Sequence, residues 1–357
     1  MWPRTDLAEL LGIEHPIVQA PMAGSTTPAL AAAVSNAGGL GSLGCASFAP
    51  DTLRAETEAL RKATNRAFNL NFFVHEEAVT TAAETRRMLD RLAPYYAELG
   101  AEAPDEAHML FKPFDDAMLA AVLDLRPRIA SFHFGLPDAA AMAALKEAGI
   151  VVLSSATTVA EARALEVGGA DAIVAQGGEA GGHRGTFLGG IDGGTVGTFA
   201  LVPQVADAVS VPVIAAGGIA DGRGIAAAFA LGAAGAQIGT AYLFTPESLV
   251  SDLHRAALVE ARDDQTALTN LFSGRPARGL MNRLMREAGP MSDAAPAFPT
   301  AGGALAPIKA KAEAKGSTDF TSLWSGQAAA LGVETGAGDL TRRLAEDALR
   351  RLASLAP

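Results

Sequence analysis

Short apolar runs alternate with helical segments along most of this chain, and that alternation constrains the fold more than any other feature. The runs are Ile17–Met22, Leu40–Cys45, Phe68–Val74, Ile129–Phe134, Ile150–Ser154, Ala172–Ala175, Val213–Ala216 and Ala236–Gly239. Most are apolar throughout, the pattern of strands buried on both faces of a parallel sheet. Helical patterns lie between them. Pro28–Ala37 opens on a proline, whose missing N–H is harmless at a first helical position, and Asp51–Ala63 follows the second run. Eight strands with intervening helices predict an α/β fold of the TIM (β/α)8 type, with a doubly wound sheet as the competing arrangement. The 38 glycines suit a fold with many tight βα turns.

Two segments break the repeat. Residues 75–111 carry an extra helical pattern and the loop 99–108, and residues 246–337 are too long for a simple connection. Within the second, the Gly/Ala/Pro-rich stretch 288–307 lacks strong periodicity and reads as a lid over the barrel mouth. The last helix, Asp339–Leu355, is amphipathic and is expected to pack back on the barrel. The expected organisation is a barrel from 1–74, 112–245 and 338–357, with a mainly helical substrate cap from 75–111 and 246–337.

Charge and composition exclude several functions. There are 28 Lys+Arg against 39 Asp+Glu, a net charge of −11, so no basic face for nucleic acid is expected. Cys45 is the only cysteine, which excludes an intrachain disulfide, a CxxC redox pair and a thiolate zinc cluster. The first residues lack the apolar core of a secretory signal, and the longest apolar stretches are broken by glycine. A soluble, cytoplasmic protein without a membrane segment is the expectation. The six histidines are scattered, so no metal site is expected, and HExxH, GxSxG and Walker-type lysine loops are absent. With no strong side-chain nucleophile, a cofactor is the natural carrier of the chemistry.

Three glycine-containing segments hold the candidate residues. In 213–243, the seventh and eighth strands end in Gly217-Gly218 and Gly239-Thr240. Loops after strands seven and eight of a TIM barrel often bind phosphate, because glycine lets backbone N–H groups reach its oxygens. In 172–187, His183 sits among five glycines after the sixth strand and can serve as a base or charge stabiliser. Glu179 and Arg184 beside it read as a loop ion pair. In 15–41, Pro21-Met22 closes the first strand, and Gly24 to Thr27 turns into a capped helix. Met22 there is either core or in thioether contact with an aromatic ring. Asn71 ends the third strand, where its amide could reach a ligand. His133 ends the fourth, as a second site candidate or a satisfied core histidine.

The segments QAPMAG, SNAGGLGSLG, SFHFGLP, AQGGEAGGHRG, AAGGIADGRGIAAAFALGAAGAQIGTAYL and LWSGQAAALG together resemble the nitronate monooxygenase family, formerly called 2-nitropropane dioxygenases. SFHFGLP and the SGQ segment look more like its class I branch. The resemblance covers about residues 12–335, in the family's order. It implies a TIM barrel with an added substrate domain and non-covalently bound FMN. By resemblance, Asn71, Gln176, Gly181, Gly218, Gln237, Ile238, Gly239 and Thr240 would hold FMN, with Pro21 and Met22 against its ring system. His183 matches the family's active-site histidine, a base for neutral nitroalkanes or a stabiliser of the anionic nitronate. The implied reaction converts an alkyl nitronate and O2 to a carbonyl compound and nitrite.

A carboxylated substrate of the class I kind would call for a cation and polar aromatics in the cap. Lys309 is a candidate cation within 304–315, although the stretch reads first as a solvated lysine run. The chain has only three tyrosines, and the cap stretch 295–307 offers Phe298 among small residues, which predicts a roomier, more apolar pocket. The rival function is an NAD(P)H-dependent FMN reductase on the same barrel, of the enoyl-carrier-protein or quinone reductase type. Monomer and dimer are equally compatible with the residues.

Overall fold

The computed structural model describes residues 1–76, 80–104, 111–190 and 194–355. The strands are β1 (Ile17–Gln19), β2 (Gly41–Gly44), β3 (Phe68–Phe73), β4 (Ile129–His133), β5 (Val151–Ala156), β6 (Ala172–Gln176), β7 (Gly182–His183), β8 (Val213–Ala216), β9 (Gly235–Ile238), β10 (Thr266–Thr269) and β11 (Ala277–Leu280). Eight of them pair in parallel in the order β1-β9-β8-β6-β5-β4-β3-β2. A parallel bridge between Val18 and Leu40 joins the two ends, so the sheet closes into a TIM barrel.

Each barrel strand is followed by one helix of the outer ring. These are Pro28–Asn36, Pro50–Ala63, Asp116–Leu125, Ala139–Glu147, Val159–Val167, Thr198–Ala206, Gly222–Ala230 and Ala337–Leu355. Local chemistry sets several of their starts. Thr27 accepts from the Leu30 N–H at 2.9 Å with Pro28 just inside the helix, and Asp138 accepts from Ala141 N–H at 2.8 Å. The terminal helix lays Leu340, Leu344, Ala345 and Ala348 against Ile225 and against Leu30 and Val34, completing the ring. The helix Asp6–Leu11 inserts Leu7 and Leu11 among Val18, Ile129, Leu153 and Ile214 at the base of the barrel.

Inward side chains change character along the strands. β4 presents Ile129, then Ser131, then His133; β5 presents Leu153, then Ser155; β6 presents Val174, then Gln176. The first member of each series packs in the basal apolar cluster, and the last lines a cavity at the carboxyl ends of the strands. Apolar burial therefore closes one end of the barrel and leaves polar groups at the other.

Two insertions cover that polar end, one after β3 and one after β9. The helices Ala82–Leu99 and Ala301–Glu313 pack together through Met88, Leu92, Leu305 and Ile308, with Leu271, Leu284 and Phe320 in the same cluster. Burying each large aliphatic side chain of this kind contributes roughly 1.5–3 kcal/mol. The helix Ala301–Glu313 lies partly in the stretch expected to be irregular. Gly302, Gly303 and Pro307 mask its periodicity, and tertiary packing rather than propensity holds it. Of the expected loop 99–108, residues 105–108 lie outside the described residues. β7, β10 and β11 form a separate antiparallel sheet in the order β10-β11-β7, so His183 sits on a short strand rather than in a loop.

Candidate active site

The cavity at the strand ends gathers most of the residues singled out from the sequence. Pro21, Met22, Asn71, His133, Gln176, Gly181, His183, Gly218, Gln237, Gly239 and Thr240 all line it. Two do not. Ile238 points outward, because neighbours on a strand face opposite sides, and it packs among Ile17, Leu30 and Tyr242 in the helix layer. Lys309 lies on the helix Ala301–Glu313, partly exposed and 3.8 Å from Glu313, outside the lining. The solvated-run reading of Lys309 accounts for its place.

One side of the cavity offers polar groups with unused capacity. Thr240 Oγ1 accepts from the Gly326 N–H at 2.9 Å and keeps its own hydrogen. Gly218 turns with φ +68°, and among the described residues its N–H and that of Thr240 meet no protein acceptor. The Gln237 amide likewise makes no protein hydrogen bond. Asn71 donates to Ser131 Oγ at 2.9 Å and to the Ser131 carbonyl at 3.2 Å, leaving its amide oxygen available. Met22 places its sulfur beside Gly239, where an added Cβ would lie 3.8 Å from it. Such a set of donors, one acceptor and a thioether suits a planar, phosphate-bearing cofactor.

Gln176 is differently employed. Its Nε2 donates to the His183 carbonyl at 2.9 Å, and its Oε1 accepts from the Gly185 N–H at 2.8 Å. His133 does related work: Nε2 donates to the same carbonyl at 3.1 Å, and Nδ1 bonds the Ser155 hydroxyl. Gly185 passes so close that a Cβ there would lie 2.9 Å from His133 Cε1. This crossing of chains, more than contact with a ligand, demands glycine at that position. Arg184 is 2% exposed and donates to the carbonyls of Gln176, Gly177 and Gly194 at 2.6–2.9 Å. It does not form the expected loop ion pair: Glu179 instead accepts from the Thr198 N–H and hydroxyl. Burial lowers the Arg184 guanidinium to about 10, and four hydrogen bonds to carbonyls hold the charge there.

His183 projects from β7 with its Nε2 2.9 Å from Ser273 Oγ. Burial, with His133 and the cation of Arg275 nearby, pushes its pKa down to about 3. His133 is lowered to about 3 and His254 to about 4, chiefly by burial. The ring of His183 is thus neutral across the physiological range. Five aromatic side chains enclose it: Phe73, Phe111, Phe134, Phe298 and Trp324, with ring centroids 5.4–6.1 Å away. Phe111 and Phe298 stack on each other at 5.7 Å and 11°. The Arg275 guanidinium lies 3.9 Å from the Phe134 ring centroid and donates to the Thr186 carbonyl. Arg275 thus places a cation beside His183, whereas the candidate Lys309 stands outside the lining.

Ser273, Arg275 and most of the aromatic enclosure are absent from the sequence reading. Ser273 and Arg275 lie in the turn between β10 and β11, a segment with no motif spacing, and Phe111 and Phe298 lie in the insertions. Phe73, next to last in the run Phe68–Val74, and Phe134, last in Ile129–Phe134, carried the clearest available signal. Trp324 stands in the LWSGQ segment, which folds over the glycine-rich turn: Gln327 N–H donates to the Glu179 carbonyl at 3.0 Å.

Comparison with known proteins agrees with this geometry. The family model for nitronate monooxygenase matches residues 4–347. A nitronate monooxygenase of Pseudomonas aeruginosa is 47% identical over 341 residues, covering 95% of this chain and 97% of that protein. A crystal structure of nitroalkane oxidase from Streptomyces ansochromogenes superposes with a TM-score of 0.90 at 41% identity, covering 98% of this chain and 100% of the other. FabK from Thermotoga maritima superposes with a TM-score of 0.73 at 29% identity, covering 99% of each chain. With the barrel, the cavity at its strand ends and the match along nearly the whole length, this oxidoreductase belongs to the nitronate monooxygenase family.

Proposed function

We propose that the chain is an FMN-dependent monooxygenase that uses O2 to convert alkyl nitronates to carbonyl compounds and nitrite. The observation that carries this reading is the place of His183: an imidazole enclosed by aromatic rings that borders a cavity with an open polar cradle. Thr240, Gly218 and Gln237 offer the donors for a phosphate and ribityl chain, and Asn71 offers an acceptor. Pro21 and Met22 would lie against the flavin ring, with Gly181 and Gly239 leaving room for its approach. Gln176 acts through the backbone of the His183 segment. Bound FMN would supply the redox chemistry that links oxidation of the nitronate to reduction of O2.

The protein side of the mechanism begins with substrate ionisation. A neutral nitroalkane gives its α-proton to the His183 ring: the C–H bond breaks, an N–H bond forms, and the electron pair moves onto the nitro group. A substrate that arrives as the nitronate needs no proton transfer, and its negative charge is favoured by the nearby Arg275 cation. The aromatic enclosure excludes water and accepts a hydrocarbon tail. Residues 75–111 and 246–337 act as the substrate cap, since Phe111, Phe298 and Trp324 come from them.

The test is His183→Asn. The variant is expected to keep its bound yellow flavin and to lose about a hundredfold or more of kcat/KM for a neutral nitroalkane. Full activity in a flavin-loaded variant would remove His183 from the reaction.

A further inference from the structure

We propose that Ser273 is a positioning residue that fixes His183 in its Nε2–H tautomer and so leaves Nδ1 as the lone pair facing the substrate. The inference rests on His183 acting as the base, and it assigns that role to one ring nitrogen and to the residue that selects it. Ser273 is 2% exposed, in the turn between β10 and β11. Its Oγ lies 3.1 Å from the Arg275 carbonyl and 2.9 Å from His183 Nε2. A carbonyl can only accept, and a serine hydroxyl has one hydrogen. With that hydrogen on the Arg275 carbonyl, the serine oxygen can only accept from the ring. A neutral imidazole carries one N–H, so the proton sits on Nε2 and Nδ1 is bare.

Both halves of the protein cooperate in this placement. The barrel holds the backbone of His183, whose carbonyl accepts from His133 and Gln176. The cap holds the ring through Ser273, while β7 pairs with β11, Ala277 opposite His183. The opposite tautomer would turn an N–H towards the cavity. It could donate to an anionic nitronate, but it could not take a proton from a neutral nitroalkane. Ser273 therefore decides whether the enzyme can use the neutral nitroalkane as well as the nitronate.

The experiment compares wild-type, Ser273→Ala and Ser273→Thr holoenzymes on a neutral nitroalkane and on the preformed nitronate of the same carbon skeleton. The alanine variant is expected to lose about tenfold to a hundredfold in kcat/KM on the neutral substrate and to stay within about threefold on the nitronate. Threonine, which keeps the hydroxyl, should restore most of the loss. Equal losses on both substrates, or no loss on the neutral one, would overturn the proposal. Nitrogen-15 NMR of histidine-labelled wild-type protein reads the tautomer directly, whether or not the alanine variant folds. Protonated Nε2 with bare Nδ1 is expected, and protonated Nδ1 would overturn the proposal. If His183→Asn proves fully active, the base assignment fails, while the NMR result still reports on what Ser273 does.

Discussion

Three histidines withdrawn from solvent, His254 buried and His133 and His183 half-buried, make the stability of this protein depend on pH. His133 and His183 titrate near 3 and His254 near 4 in the folded chain, because burial disfavours their charged forms. Unfolded, each takes up a proton near pH ~6.5. Between those values the unfolded chain binds more protons, so their contribution is fully present above about pH 6.5 and is lost as the pH falls. Each histidine adds about 1.4 kcal/mol per pH unit to the slope within that window. Urea denaturation of a His254→Gln variant should show a slope shallower by about that amount between roughly pH 6 and 5. An unchanged slope would show that His254 is protonated in the folded protein. His183 and His133 were visible as candidates because each ends a predicted strand or follows one. Arg184 was misread, since nothing in GGHRG distinguishes a surface ion pair from a cation buried against carbonyls. Ser273 left no signal at all: its role exists only once β11 brings the turn to His183.

At the level of elements, the strands were legible and the cap was not. A buried parallel strand announces itself by a short apolar run closed by glycine, as at Val213–Ala216 before Gly217. The polar residues at strand ends, Ser131 and Ser155 among them, also fall on one face by simple alternation. β7, β10 and β11 are too short, and too dependent on one another, to be read singly. The helix Ala301–Glu313 draws its stability from Met88 and Leu92 on a distant segment. The aromatic enclosure assembled by these elements has a consequence for substrate choice. Phe111 and Phe298 stack with no hydroxyl to offer a polar tail, so each added methylene that enters the enclosure gains apolar contact. Across nitronates from ethyl to hexyl, kcat/KM should rise with chain length. A steady decline with size would contradict this picture of the pocket.

Across the whole molecule, one architecture accounts for the position of the chemistry. The base of the barrel is plugged by Leu7 and Leu11, the ring of helices is completed by Ala337–Leu355, and both insertions gather over the polar end. That division places the open polar groups of the cavity on barrel loops, while Phe111, Phe298 and Trp324 of the aromatic enclosure come from the insertions. The closed barrel is foreseeable because eight similar runs recur in order. Which cation and which aromatics come to lie beside His183 was not foreseeable, because the insertions fix several of them through tertiary packing.

The central claim is that a nitronate, and not a reduced nicotinamide, delivers electrons to the bound cofactor. The visible spectrum of the purified holoenzyme under anaerobic conditions tests it, recorded after addition of NADH or NADPH and then of propyl nitronate. The account predicts that the nicotinamides leave the flavin absorbance unchanged and that the nitronate bleaches it. Rapid bleaching by a nicotinamide, with none by the nitronate, would contradict the account and identify a flavin reductase.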